Sequence, residues 1–284
     1  METNIILLLD NRKVEVKSST FPAGERYIKL GLEDTQSAKL ANLFLLNATS
    51  DAIIDCILCS NAIKEHFGEE VDIELYAAYF PYSRQDRVCS IGESNSFAVI
   101  QRLLKPHFNH ISTIDLHNPN AIENQNFVSN LNPLDFPYIG AYDIKEYESI
   151  IDAIDSTYTV VVPDKGAIAR SIEAASKIGS ESIVFFDKER RDGNIYVTPK
   201  TEDDVEILKN RNKFVIFDDI CDGGGTFINL AKIIKEINPN CELTLVVSHG
   251  LFSKGLEVLK PYFVEVLVCF TVYNTTRMEN LLSS

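Results

Sequence analysis

The sequence contains no apolar run long enough to cross a membrane. A spanning helix needs roughly 20 consecutive, mainly apolar residues. The amino terminus has only the short run Ile5–Leu9, and the acidic Glu2 precedes it where a secretory signal would carry positive charge. We therefore expect Ile5–Leu9 to form a buried strand, and we expect no membrane partner.

Basic residues are also few, with 27 lysines and arginines against 41 acids and a net charge of -14. Because such a surface repels nucleic acid at long range, no nucleic-acid partner is expected. The side chains that bind an anionic substrate must then be concentrated in local clusters. Hydrophobic residues make up 45% of the chain, which is typical of a globular protein with a compact core.

The six cysteines are scattered along the chain and do not have the spacing of a disulfide framework. Cys56 and Cys59 form a single CxxC pair, with no second pair and no histidine at the spacing of a metal site. A redox or zinc role is the alternative, but the pattern favours a packed apolar helix face. This cysteine usage predicts a reducing, cytoplasmic location.

Short apolar runs bounded by polar residues alternate with longer stretches of helical spacing, which predicts an α/β fold of mostly parallel sheets flanked by helices. The predicted strands are Ile5–Leu9, Ile73–Phe80, His110–Ile114, Thr159–Val162, Ser182–Phe186, Phe214–Phe217, Leu243–Val247 and Val264–Cys269. The predicted helices are Thr35–Leu46, Ala52–Phe67, Ser94–Leu104, Ala167–Ile178, Phe227–Ile237 and Gly255–Leu259.

A segment rich in proline and asparagine, Val128–Ile139, separates two similar series of strands and helices. Because this composition is typical of a connecting loop, we place the boundary there. The predicted domains are residues 1–136 and 137–284.

One segment combines glycines and acids between a strand and a helix. The glycines let the backbone approach an anion, and the hydroxyl of Thr226 can cap the helix while it donates to the same anion. Carboxylates would repel a phosphate, so Asp218 and Asp219 are better explained as acceptors from vicinal hydroxyls or as Mg²⁺ ligands. The residues of this candidate sugar-phosphate site are Asp218, Asp219, Asp222, Gly223, Gly224, Gly225 and Thr226.

Two other nucleotide motifs do not fit this segment. No lysine follows the glycines, as a GxxxxGK[ST] loop requires, and Ile228 stands where a GxGxxG motif needs glycine. A glycine-rich turn with capping aspartates is the structural alternative. The string V-I-F-D-D-I-C-D-G-G-G-T, which ends at Thr226, closely resembles the phosphoribosyl diphosphate (PRPP) signature of type I phosphoribosyltransferases and PRPP synthetases.

The amino-terminal half resembles the PRPP synthetases in particular. Phe80-Pro-Tyr-Ser-Arg84-Gln85-Asp86-Arg87 is similar to the family segment that contacts ATP, and arginine side chains suit phosphate oxygens. The segment from Phe21 to Glu25 resembles the one that receives the adenine across a subunit boundary, which implies a homo-oligomer. The resemblance assigns ATP binding to Phe21, Ala23, Gly24, Glu25, Arg84 and Gln85.

Further motifs of the family imply a metal site and a catalytic loop. Asp115-Leu116-His117 and Pro163-Asp164-Lys165-Gly166 resemble its metal-binding segments, so His117 and Asp164 are the implied Mg²⁺ ligands. Histidine is an unusual Mg²⁺ ligand, and a core role is its alternative. Phe186–Asn194 resembles the flexible catalytic loop, which assigns catalysis to Lys188 and Arg190. As plain sequence, this charged stretch would be a solvated surface loop.

The resemblance implies transfer of the β,γ-diphosphoryl group of ATP to the 1-hydroxyl of ribose 5-phosphate, which gives PRPP and AMP. One alternative is a phosphoribosyltransferase that consumes PRPP, although such an enzyme has no use for Arg84-Gln85 or Asp115-Leu116-His117. Another is a non-catalytic relative that regulates a synthetase. In that case Lys188, Arg190 and His117 would be expected to have been lost, and all three are present.

Overall fold

The computed structural model describes residues 4–143, 145–191 and 194–271, with the backbone alone at 188–191, 194–196, 270 and 271. The described chain forms two compact units, residues 4–131 and 132–271. The predicted bounds were 1–136 and 137–284, so residues 132–136 belong instead to the second unit. There Leu134 and Phe136 pack into the core, whereas Val128–Leu131 is still a strand of the first unit. Residues 272–284 lie outside the described part.

The first unit is built on a six-stranded sheet and a separate two-stranded hairpin. Its strands are β1 (Ile5–Leu9), β2 (Arg12–Val14), β3 (Val16–Thr20), β4 (Arg26–Leu30), β5 (Leu40–Leu45), β6 (Asp72–Ala77), β7 (His110–Ile114) and β8 (Val128–Leu131). The sheet has the order β2-β1-β5-β6-β7-β8, and β3 pairs with β4. Strands β5 to β8 are parallel, so their carboxyl ends lie at one edge of the sheet.

Two helices accompany this sheet, α1 (Ser50–Phe67) and α2 (Ser96–Leu104). Helix α1 begins at an N-cap, where the Thr49 hydroxyl accepts a hydrogen bond from the Ala52 amide at 3.2 Å. Cys56 and Cys59 on α1 are fully buried among the apolar residues of the unit's core. They therefore occupy the packed helix face that the sequence favoured.

The second unit contains an eight-stranded sheet, which is also mostly parallel. Its strands are β9 (Tyr138–Gly140), β10 (Glu146–Tyr147), β11 (Thr159–Val162), β12 (Ile183–Arg191), β13 (Asn194–Pro199), β14 (Lys213–Cys221), β15 (Glu242–Gly250) and β16 (Glu265–Thr271). The order is β10-β9-β16-β15-β14-β11-β12-β13. The run from β16 to β12 is parallel, and the outer strands are antiparallel.

Helices cover both faces of this sheet. Successive side chains of β14 show this, because they pack alternately into two buried clusters on opposite faces. Phe214 and Ile216 belong to one buried cluster, together with residues of α5 (Glu202–Asn210) and α6 (Gly225–Ile237). Val215 and Phe217 belong to another, with residues of α3 (Ile150–Ala153) and α4 (Ile168–Ile178). Successive side chains of a strand point to opposite faces, so a strand buried on both sides is apolar throughout. The predicted α/β fold class is confirmed.

Two predicted helices are wrong. Residues 40–45 of the predicted helix Thr35–Leu46 form β5, in which Ala41, Leu43 and Leu45 are buried and the residues between them are half-buried. That alternation has the period of a strand, and β5 lies between β1 and β6 in the sheet. Gly255–Leu259 contains only a single 3-10 turn, Leu256–Val258. No helix in the described ranges is both long and apolar enough to cross a bilayer.

A buried ion pair attaches the β3–β4 hairpin to α1. The Arg26 guanidinium donates through Nε to Asp55 Oδ1 at 2.8 Å and through Nη2 to Oδ2, and its Nη1 donates to the Thr20 hydroxyl. Asn4 Nδ2 donates to the same carboxylate at 2.8 Å. The Asp55 side chain is only 1% exposed, so this carboxylate depends on these donors instead of water.

We expect Asp55→Asn to destabilise the protein by about 3 kcal/mol, because it leaves the Arg26 charge largely buried without its partner. Thermal and urea unfolding of the full chain measure this loss. The matched control is Lys29→Met, which removes an exposed pair with Glu33 and should cost less than about 0.5 kcal/mol. Equal stability of Asp55→Asn and the unchanged protein would contradict the anchoring role of the pair.

Candidate active site

The acid and glycine segment lies at the carboxyl end of β14, the strand between β11 and β15. The strand continues to Cys221, beyond the predicted end at Phe217, because residues 218–221 keep pairing with β15. Asp218 and Asp219 are therefore strand residues, whereas the sequence analysis placed them in the turn after the strand. Their backbone is fixed by the sheet, which gives the two carboxylates a rigid support.

The turn that follows depends on Gly224, which has a φ of 73° in the left-handed region. A Cβ at this position would also come within 2.8 Å of Leu259 Cδ2, so both conformation and packing require glycine. Helix α6 begins at Gly225, where an added Cβ would meet nothing within 4 Å. Open space thus lies next to the amino-terminal amides of a 13-residue helix, an arrangement that suits an anion.

Thr226 does not have the predicted capping role. The N-cap of α6 is Gly224, which has no side-chain hydrogen bond, and Thr226 is the second helical residue. Its side chain is half-buried. Because the cap residue has no side-chain acceptor, the first amides of α6 receive no cap hydrogen bond from it.

The two strand carboxylates create an unfavourable concentration of negative charge. Burial and then the neighbouring Asp219 raise the pKa of Asp218 to about 7. The Arg170 guanidinium on α4 opposes this shift, with Nη1 3.3 Å from Asp218 Oδ1, and the Asp219 amide donates to the same oxygen at 2.9 Å. Arg170 offsets only part of the repulsion, so the acid pair favours a ligand that donates hydrogen bonds or carries positive charge.

Arg170 is a residue beside the acid segment that the sequence analysis missed. It lies in the first turn of α4, six residues after Asp164, and its side chain is 18% exposed. The sequence offered one signal for it: an arginine in the first turn of the helix that follows the Asp164 motif. Sequence could not show which way the first turn of α4 faces, and hence could not pair Arg170 with Asp218.

Asp164 lies next to this acid segment in the sheet order. It follows β11, whose Val161 pairs with Ile216 of β14, so Asp164 comes at the level of Asp219. Its carboxylate accepts hydrogen bonds from the amides of Gly166 at 2.9 Å and Ala167 at 3.3 Å. The side chain therefore caps a 3-10 turn and is half-buried.

The two residues predicted to be catalytic, Lys188 and Arg190, lie on strand β12, where the structure describes only their backbone. Lys188 and Arg190 pair with Val197 and Ile195 of β13. The predicted flexible loop Phe186–Asn194 is thus, over its described residues, the outer part of an antiparallel strand pair. Residues 192–193 and the side chains of Lys188 and Arg190 lie outside the described part of the structure.

In the first unit, the segment with Arg84 and Gln85 follows the carboxyl end of β6. Tyr82 has a φ of 63°, and its hydroxyl lies 2.7 Å from the hydroxyl of Ser50 on α1. The amide of Gln85 donates to the Tyr82 carbonyl at 2.9 Å. This tight turn leaves the side chains of Arg84 and Gln85 exposed.

His117 follows the adjacent strand β7, and its segment contacts the arginine segment directly. Asn118 Nδ2 donates to Asp86 Oδ2 at 2.6 Å, which joins the two loops. Asp115 has a φ of 44°, a strained value for a residue other than glycine. His117 itself is exposed, so it is not the core histidine of the alternative interpretation. Arg84, Gln85 and His117 therefore lie on two joined loops at one edge of the first sheet.

The predicted adenine segment is the turn of the β3–β4 hairpin. The Phe21 amide donates to the Glu25 carbonyl at 2.8 Å, and the Gly24 amide donates to the Phe21 carbonyl at 2.8 Å. Gly24 has a φ of 98°, which favours glycine. All five residues are exposed, including Ala23. Phe21 forms an edge-to-face pair with Tyr27 at 5.7 Å between ring centroids.

The predicted Mg²⁺ ligands, His117 and Asp164, lie in different units. Within the described ranges, no group of three or more histidine, cysteine, aspartate or glutamate side chains is placed to hold a metal ion. Mg²⁺ commonly uses one or two carboxylates, several waters and the phosphate oxygens of the substrate. The oxygen donors of the acid segment fit a cation held in that way, with the substrate as the main ligand.

The fold is similar to that of a known enzyme. The crystal structure of phosphoribosylpyrophosphate synthetase from Mycobacterium smegmatis matches with a TM-score of 0.70 at 18% identity, over 97% of this chain and 91% of that chain. At this identity the likeness establishes the fold alone. The chain therefore shares the α/β fold of that synthetase.

Sequence comparison identifies the family. The ribose-phosphate pyrophosphokinase of Mycoplasmopsis pulmonis is 30% identical over 269 residues, covering 91% of this chain and 77% of that protein. That of Pyrococcus abyssi is 29% identical over 263 residues, covering 91% and 85%. No protein-family model matches the chain. The chain belongs to the ribose-phosphate pyrophosphokinase family, and the resemblance found in the sequence is confirmed.

The raised pKa of Asp218 predicts a pH-dependent cost in stability. Its ordinary pKa is about 3.9, so the folded protein retains a proton that the unfolded chain releases between about pH 4 and pH 7. Stability therefore falls as the pH rises through this window. We expect Asp218→Asn to stabilise the protein by about 2 kcal/mol at pH 8, and by less at pH 5.5.

Thermal unfolding midpoints at pH 5.5 and pH 8 test this expectation. The control is Asp203→Asn, which removes an exposed acid in the first turn of α5 and should give no stabilisation at either pH. If Asp218→Asn were no more stable than the unchanged protein at pH 8, the raised pKa of Asp218, which burial and then Asp219 cause, would be wrong.

Proposed function

We propose that this protein transfers the β,γ-diphosphoryl group of ATP to the 1-hydroxyl of ribose 5-phosphate, which gives PRPP and AMP. The observation that carries the proposal is the acid and glycine segment Asp218–Thr226 at the end of a central strand, in a chain of the ribose-phosphate pyrophosphokinase family. Its curated relatives carry the name of this activity.

The second unit supplies the site for the acceptor substrate. The 5-phosphate binds the amides of Gly223–Gly225 and the hydroxyl of Thr226, where the open space at Gly225 leaves room for it. The carboxylates of Asp218 and Asp219 accept hydrogen bonds from the ribose hydroxyls. These hydrogen bonds would stabilise the ionised form of Asp218, whose pKa is raised in the protein without a ligand. Asp222 completes this set of acids.

The first unit supplies the site for ATP. Arg84 and Gln85 bind the nucleotide from the loop after β6, and His117 approaches the metal-bound phosphates from the joined loop after β7. The turn Phe21–Glu25 receives the adenine. Because this turn is fully exposed on a hairpin, it suits an adenine site completed by another copy of the chain, and we propose a homo-oligomer.

Mg²⁺ is the proposed cofactor, and polyphosphate oxygens would be its main ligands. His117 in the first unit and Asp164 in the second unit are the side chains proposed as Mg²⁺ ligands. When bound, the cation neutralises phosphate charge. The cytoplasm is the proposed location, supported by six scattered cysteines, five of them buried.

The chemical step is an in-line displacement. The ribose 1-oxygen forms a bond to the β-phosphorus of ATP, and the bond between that phosphorus and the bridging oxygen of the α-phosphate breaks. AMP leaves, and the 1-hydroxyl proton passes to solvent. Such a reaction depends on positioning and charge neutralisation more than on covalent help from the protein. Lys188 and Arg190 stabilise the charge on the transferring group.

The direct test is to incubate the full chain with ATP, ribose 5-phosphate and Mg²⁺ and to quantify AMP and PRPP. Equal amounts of both products are expected, and removal of divalent cations with a chelator should abolish them. A phosphoribosyltransferase would form neither product from these substrates, and a non-catalytic relative would leave ATP unchanged. Absence of AMP in the complete mixture would overturn the proposed function.

Lys188→Ala should lower kcat by at least about 100-fold, because it removes a cation from the transferring group. Steady-state kinetics with saturating substrates measure this effect, and circular dichroism checks the fold. The control is Lys200→Ala, which removes an exposed lysine just after β13 and should retain normal turnover. Near-normal kcat in Lys188→Ala would show that the catalytic assignment is wrong.

A further inference from the structure

The loop after β15 is attached to the phosphate segment by several hydrogen bonds. The amides of Leu251 and Phe252 donate to the Cys221 carbonyl at 2.9 and 3.1 Å, and the Ser253 amide donates to the Asp222 carbonyl at 3.2 Å. The Ser253 hydroxyl also donates to Asp222 Oδ1 at 2.6 Å. The next residue, Lys254, is therefore held beside the glycine turn.

The Lys254 side chain lies directly over Gly223. A Cβ added to Gly223 would be 3.3 Å from both Cδ and Cε of Lys254 and 3.5 Å from Cγ. One further C–N bond of about 1.5 Å places the ammonium nitrogen within about 5 Å of that point. The absence of a side chain at Gly223 thus leaves the space through which the lysine stem passes, and the ammonium group stays beside the turn.

The charge of this lysine is not used elsewhere in the described part of the molecule. Lys254 is exposed, and it makes no hydrogen bond or ion pair with another described residue. Its neighbour Ser253 donates to Asp222, and Asp218 and Asp219 precede Asp222 on the same strand end, in a protein whose net charge is -14. A dianionic phosphate at the turn would be stabilised further by a positive charge that adds to the backbone amides.

We propose that Lys254 binds the 5-phosphate of the sugar phosphate through its ammonium group. This inference rests on the proposed function, because it names a further residue for the same acceptor site. Lys254 is a binding residue in this proposal. It acts on the affinity for the phosphate-bearing substrate and not on the transfer of the diphosphoryl group, so it should affect ribose 5-phosphate and leave ATP unaffected.

Calorimetric titration of the full chain with ribose 5-phosphate tests the proposal. At low salt, Lys254→Met should raise the Kd about five- to tenfold, as expected for one cation near a dianion in a solvated site. Lys254→Arg keeps the charge and should stay within about twofold of the unchanged protein. At 0.5 M salt the difference between Lys254→Met and the unchanged protein should narrow to about twofold, because the interaction is screened.

The control is Lys232→Met, which removes the same charge from an exposed position in the middle of α6 and should leave the Kd unchanged. An unchanged Kd in Lys254→Met would overturn the role of Lys254, and so would a raised Kd that Lys254→Arg fails to restore. Either result is distinct from failure of the proposed function, in which the unchanged protein itself would form no AMP from ATP and ribose 5-phosphate. The KM for ATP should be the same in all four proteins.

Discussion

Two adjacent carboxylates at the buried end of a central strand are the constraint on which the second unit depends. Asp218 and Asp219 are held by the pairing of β14 with β15, so they cannot move apart to reduce their repulsion. Burial and then this repulsion raise the pKa of Asp218, and Arg170 offsets only part of the shift. In the proposed function, the hydroxyls of the sugar or a cation relieve this unfavourable arrangement. The site would then favour ligand binding at the expense of stability without a ligand.

The surroundings of the pair follow from the same constraint. A phosphate cannot bind next to two carboxylates unless donors separate it from them, and the turn after Cys221 provides those donors as backbone amides. Gly224 makes the turn possible by its left-handed conformation and by having no Cβ, which would lie too close to Leu259. The loop after β15 then brings Lys254 over Gly223. Along this short segment the carboxylates therefore come first, and the groups that can donate hydrogen bonds to a phosphate follow them.

In the first unit, the structure holds in place the exposed loops that carry the proposed ATP site. Its arginine and histidine segments follow adjacent parallel strands and are joined by the Asn118–Asp86 hydrogen bond. The backbone strain at Tyr82 and Asp115 lies in these two loops, where a sharp change of direction is needed just after a strand. The hairpin is fixed more strongly, because Arg26 and Asp55 attach it to α1 through a buried ion pair.

The local motifs could be predicted from sequence because each is contiguous: the order of residues from Asp218 to Thr226 already contains acids, glycines and a helix start. Strand β5 could not be predicted in this way. A short apolar stretch fits both the helical and the strand period until its neighbours β1 and β6 are known. Family and fold class were therefore determined by the sequence itself, through motifs in the right order. Tertiary structure decided which distant side chains meet them. Arg170 and Lys254 reach the site from another helix and another loop, and only the packing of strands, helices and loops determines where such side chains point.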